Sequence, residues 1–154
     1  MRKTLLFIGI LFLFGITETA HAQSISNDSG SKTIVFNSNV NLPLSGIEKR
    51  MLSEVYDETL KNNILDNPPR LKSIKNIIRN RVKILNMPNY PKDYTLLSQV
   101  PLFDKYNASM KREVFDKSTF NPLKYNFDFY ANSTQVFRVD KTDYYIVLKS
   151  QNQN

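Results

Sequence analysis

Every position from Leu5 to Ile16 is apolar or glycine, a run of 12 residues with no equal later in the chain. It is shorter than the roughly 20 residues a helix needs to cross a bilayer core. Met1-Arg2-Lys3 supplies a basic start and Ala20-His21-Ala22 a small-residue cleavage pattern, so residues 1–22 read as a cleavable secretory signal. Residues 23–32 are mostly Ser, Asn, Asp and Gly with little to bury, the composition of a disordered leader. The β-rich stretch Thr33-Ile34-Val35-Phe36 is a candidate edge strand and opens a single domain over residues 33–150, with 151–154 as a disordered tail.

Two helices follow. Ser45-Gly46-Ile47-Glu48 has capping-box spacing, and Met51, Leu52, Val55, Tyr56 and Leu60 recur on one side of the helix it begins. Asn67-Pro68-Pro69 closes that helix and opens a second, because proline suits a first helical turn. The second is expected from about Pro69 to Leu85, with Leu71, Ile74, Ile78, Val82 and Leu85 as its buried stripe and Pro88 and Pro91 beyond its end. Residues 87–123, punctuated by prolines and scattered aromatics, read as a long loop with short elements packed by its rings.

The carboxyl end switches to period two. Lys124–Ala131, Gln135–Asp140 and Tyr144–Ser150 read as an antiparallel meander. Pairing Phe129 with Phe137 and Phe127 with Val139, then Val139 with Tyr144 and Phe137 with Ile146, keeps the apolar residues on one face, whereas a slip of one would set Arg138 among phenylalanines. Two amphipathic helices packed on a C-terminal three-stranded antiparallel meander, with a short N-terminal edge strand as an option, make an α+β domain. The edges at Lys124–Ala131 or Tyr144–Ser150 would be open to another chain unless Thr33–Phe36 covers them.

Composition removes most chemistry. There is no cysteine, and the one histidine, His21, lies in the signal, which excludes Ser-His-Asp and Cys-His catalysis and the usual zinc sites. Outside the signal only Gly30 and Gly46 remain, too few for a phosphate-binding or dinucleotide fingerprint, so no cofactor and no metal is expected. An exported domain without disulfides suits the bacterial periplasm or exterior. No span is expected after signal cleavage.

The formal charge of +7 directs attention to anions. Lys72, Lys75, Arg79 and Lys83 fall on one flank of the second helix, a candidate strip for anionic lipid or glycan, although a solvated helix face explains the same pattern. Nucleic acid is disfavoured by export and by the lack of a recognisable binding module. Asp128, Tyr130, Arg138 and Tyr145 would share the polar face of the meander, with Asp128 opposite Arg138, as a ligand platform or as ordinary cross-strand pairs. Glu54, Asp57 and Glu58 cluster on the first helix, but Arg50 and Lys61 at four-residue spacing make them helix-surface ion pairs. Ser29-Gly30-Ser31-Lys32 has the spacing of a serine acylase without the companion elements.

Phe120-Asn121-Pro122-Leu123-Lys124-Tyr125-Asn126-Phe127, continued by Arg138-Val139-Asp140 and Thr142-Asp143-Tyr144-Tyr145-Ile146, resembles small secreted uncharacterised proteins of the Bacteroidetes group over the final third of the chain. That resemblance implies a compartment and no activity, so it carries over no site residue. The expected function is a non-catalytic binding or interaction module of the cell envelope, whose partner is an envelope protein or an anionic glycan or lipid. The alternatives are a carboxylate-only glycan hydrolase, pairing Asp128 with Glu113 or Asp116, and a peripheral binder of anionic envelope surfaces.

Overall fold

The structure, a computed structural model, describes residues 34–152. The expected signal, the leader and Thr33 lie outside the described residues. Helix α1 spans Gly46–Tyr56 and begins at the expected capping box: the Ser45 amide donates to Glu48 Oε2 at 2.7 Å, and the Glu48 amide to Ser45 Oγ at 3.2 Å. Helix α2 spans Pro68–Asn76, with the Asn67 side chain accepting from the Arg70 amide and the prolines in its first turn. Between the two, the chain winds through a 3-10 turn at Asp57–Thr59 and a π turn at Lys61–Leu65.

The second helix stops well short of Leu85. A π turn at Ile77–Arg81 ends it, and Val82–Asn86 becomes strand β1. Residues 74, 78, 82 and 85 fit a helical stripe, yet Val82 and Ile84 fit a strand's period of two equally well. Pairing with another strand decides between them. The wider π turn brings Ile77 and Ile78 both into the core, while Leu85, expected to be buried, is exposed.

Strands β2, Gln135–Arg138, and β3, Tyr144–Leu148, complete an antiparallel sheet of order β1-β3-β2. The β2–β3 register is the expected one, with Phe137 opposite Ile146 and the Val139 amide bonded to the Tyr144 carbonyl at 2.9 Å. The third strand is β1 and not Lys124–Ala131; Ile84 faces Ile146 and Val82 faces Leu148. Lys124–Ala131 alternates as a strand would, and Tyr125 and Phe127 are buried, but it forms no ladder with the sheet: the Asn126 amide bonds the Pro101 carbonyl at 2.8 Å, and others are spent locally. Phe127 N–H bonds the Tyr125 carbonyl at 2.8 Å and Phe129 N–H the Phe127 carbonyl at 3.0 Å, three-residue turns that leave no row of donors for a ladder. The rings still reach the sheet, with Phe127 and Phe137 centroids 4.8 Å apart.

The described residues thus form an α+β fold, two α-helices and a three-stranded antiparallel sheet, with two apolar clusters. Met51, Leu52, Val55, Ile64, Ile74 and Ile78 form the helical one; each such buried side chain contributes about 1.5–3 kcal/mol. The inner face of the sheet, Ile146 and Leu148, packs on Leu97, Val100, Phe120 and Phe127 from the long loop, and Val82 and Phe129 touch both clusters. The expectation that the loop packs through its aromatics therefore extends further: the loop, more than the helices, covers the sheet.

No open edge runs along Tyr144–Leu148, because β3 is central. Ile34–Phe36 forms no strand; Ile34 and Phe36 instead lay side chains on the helical core. At the other end, Gln151 N–H bonds the Ala131 carbonyl at 3.1 Å.

Candidate functional site

Of the four cations that sequence singles out, three lie on α2 and its π turn and Lys83 lies on β1, and the structure divides them into two groups. Arg79 is buried and forms a two-point ion pair with Glu48, Nε to Oε1 at 2.5 Å and Nη2 to Oε2 at 2.8 Å. Its remaining donors reach the carbonyls of Asn39, Leu42 and Pro43. Lys75, also buried, donates to the Leu42 carbonyl at 2.8 Å. Burial alone would raise the Glu48 carboxyl, but hydrogen bonds from Arg79 and Ser45 hold it below the usual carboxylate range. Lys75 and Arg79 are thereby removed from any docking strip, since they fasten residues 39–43 onto the helix.

Lys72 and Lys83 stay exposed, and they face an open groove of about 930 Å³ between residues 36–40 and α2. Lys149, just past β3, joins them there. Asn76 and Asn80 lie between, with Asn80 Nδ2 donating to Asn76 Oδ1 at 2.8 Å and to the Ser38 carbonyl at 3.1 Å. No Asp or Glu lines this groove, and the ammonium groups of Lys72, Lys83 and Lys149 have no acidic partner among the described residues. Uncancelled positive charge, amide donors and acceptors, and an open concave shape suit a hydrated polyanion. Lys149 escapes a reading of α2 because it comes from the far end of the sequence, brought alongside by the β1–β3 pairing that also bonds Lys149 N–H to the Arg81 carbonyl at 2.9 Å.

The expected sheet-face platform does not assemble. Tyr145 is fully buried, with Tyr90 and Tyr94 packed edge-on against its ring at 5.3 and 6.1 Å and its hydroxyl donating to the Pro91 carbonyl at 3.0 Å. Arg138 pairs with Tyr145 across the strands but turns its guanidinium to the carbonyls of Thr142, at 3.3 Å, and Lys92, at 3.4 Å. Asp128 sits outside the sheet, where its carboxylate accepts from the Tyr130 amide at 3.0 Å. The reason is the missing ladder at Lys124–Ala131, which removes the register that set Asp128 opposite Arg138.

The carboxylates considered for hydrolysis are engaged elsewhere. Glu113 pairs with Lys124 at 2.7 Å, and Asp116 accepts from the Ser118 amide and hydroxyl at 2.8 and 2.7 Å. Both line a pocket of only about 20 Å³ that Asp128 does not share. On α1, Glu54 forms the expected ion pair with Arg50 at 3.7 Å and also accepts from Asn121 Nδ2 at 2.9 Å. Among the described residues no group of His, Cys, Asp and Glu is suited to hold a metal ion. No helix there is long and apolar enough to cross a membrane.

A second concavity, of about 280 Å³, opens between the end of α2 and the aromatic segment 123–130. Tyr130 lines it with Arg70, so one residue assigned by sequence to a sheet face belongs to this cavity. Neither period nor motif points to it, since its rings come from helix, loop and turn and read in sequence as core filling. Comparison with protein-family models, with curated proteins and with solved structures gives no match.

Proposed function

We propose that the chain is an exported, non-catalytic binding module of the cell envelope that holds an acidic glycan in the groove between residues 36–40 and α2. Three lysines from separate stretches, Lys72, Lys83 and Lys149, converge there without a neutralising acid among the described residues, and this observation carries the reading. Asn76 and Asn80 add groups that match sugar hydroxyls. Export rests on the basic, apolar and small-residue order of residues 1–22. Catalysis through carboxylates draws no support from Glu113 and Asp116, which are tied to Lys124 and Ser118 beside a pocket too small for a sugar.

Calorimetric titration with polygalacturonate, with neutral dextran and with anionic lipid vesicles tests this. Binding of polygalacturonate that weakens steeply with salt, and none of dextran, is the expected result. Equal affinity for dextran would remove the electrostatic basis, and tighter binding to vesicles would assign the groove to a lipid surface.

A further inference from the structure

The 280 Å³ cavity shares no lining residue with the lysine groove and has the opposite character. Its walls are mostly rings and aliphatic side chains, with the Asn126 amide and the tyrosine hydroxyls as neutral polar groups, and Arg70 is the one charged residue among its described lining residues. The Arg70 guanidinium lies 5.9 Å from the centroid of the Tyr56 ring and reaches the Tyr106 hydroxyl at a long 3.4 Å. It has no carboxylate partner among the described residues. A guanidinium offers five donors in a planar fork that matches a carboxylate, and here most of them are uncommitted. Arg79, a short way along the same polypeptide, shows the contrast: its fork is filled by Glu48 and by backbone carbonyls. The hydrogen bond from Arg70 draws the Tyr106 hydroxyl below the usual tyrosine range, while burial pushes Tyr56 up.

Size and polarity narrow the ligand. Small-molecule sites run from about 300 Å³ upward, so this cavity takes one ring or a short chain. Against the apolar wall of Phe103, Phe127 and Phe129, a ring bearing hydroxyls on every side would leave several of them unpaired even with the Asn126 amide and the tyrosine hydroxyls opposite, which favours a body that is largely apolar. We propose that the cavity binds a small monocarboxylic acid with an aromatic or short aliphatic body, its carboxylate on Arg70 and its body against Phe103, Phe127 and Phe129.

Chemical-shift mapping on the ¹⁵N-labelled chain tests this with phenylacetate, hexanoate, phenylacetamide and glucuronate. The first two should shift resonances around Arg70, Phe103, Phe129 and Tyr130, with dissociation constants on the order of a millimolar or tighter. Phenylacetamide should bind about tenfold more weakly, and glucuronate should leave these resonances unmoved. Arg70→Gln keeps the backbone amide that the Asn67 side chain caps, and it should bring phenylacetate down to the amide's affinity without moving the melting temperature. Equal binding of acid and amide, unchanged affinity in Arg70→Gln, or glucuronate binding as tightly as phenylacetate would each overturn the proposal. Because the groove lysines are untouched by this variant, polygalacturonate binding should survive it, which separates failure at this site from failure at the groove.

Discussion

Lys75 and Arg79 lie on the same flank of the chain as Lys72 and Lys83, yet the two sets have opposite fates. The first pair is buried under residues 39–43 and satisfied by Glu48 and by backbone carbonyls; the second stands in water beside an open groove. Identical charge along α2, its π turn and the start of β1 thus divides into cations that hold the fold and cations left over for a ligand. Separation of the two sets follows from partners distant in sequence: the Glu48 carboxylate and the 39–43 carbonyls point at 75 and 79, while no acid among the described residues pairs with 72 and 83.

The largest effect should come from breaking the buried pair. Glu48→Ala leaves the Arg79 charge buried without its counter-ion and should cost about 3–5 kcal/mol, measured by urea unfolding. Glu48→Leu combined with Arg79→Met should recover part of that loss, because no buried charge is left behind while the Asn39, Leu42 and Pro43 carbonyls still lose their donor; a double variant less stable than the single one would contradict the assignment of the cost to unpaired charge.

Acid should act on the same pair. The Glu48 carboxyl sits below its ordinary value of 4.5 in the folded chain, so its stabilisation is fully present above that value and is lost as pH falls through the folded value. Unfolding curves taken from about pH 6 to about pH 3 should show the wild type losing stability below that ordinary value, with Glu48→Gln losing less over the same range.

Smaller effects should follow at Asp57, where α1 ends with φ 45° and ψ −130°, a conformation that a side chain opposes. Asp57→Gly should raise stability by about 1 kcal/mol in the same assay. Smallest of all, Lys72→Gln with Lys83→Gln should change stability by less than about 0.5 kcal/mol, because both side chains are exposed. A large loss there would erase the distinction between the two sets.

Local chemistry explains what was legible in the sequence. The capping box at Ser45 and Glu48, the proline-opened α2 and the Phe137–Ile146 register all rest on short-range signals, and all are present. Val82–Asn86 was not legible as a strand, because its apolar spacing fits helix and strand alike and only pairing with β3, some sixty residues away, decides. Lys124–Ala131 failed for the converse reason: the alternation is real, but serial turns and an isolated bridge to residues 101–103 take up amides that a strand would offer to the sheet. The candidate site followed the same division. Lys72 and Lys83 were visible on the helix flank, whereas Lys149 and the aromatic cavity around Arg70 come from segments that only the folded chain brings together.

The groove is tested most directly by the salt dependence of polygalacturonate affinity in the wild type and in the chain carrying Lys72→Gln, Lys83→Gln and Lys149→Gln together. Affinity at low salt should fall at least about tenfold in the triple variant, and the plot of log affinity against log salt should become shallower, since fewer counterions are released on binding. The melting temperature should hold. Unchanged affinity and slope in a folded triple variant would contradict the assignment of these lysines to a polyanion site.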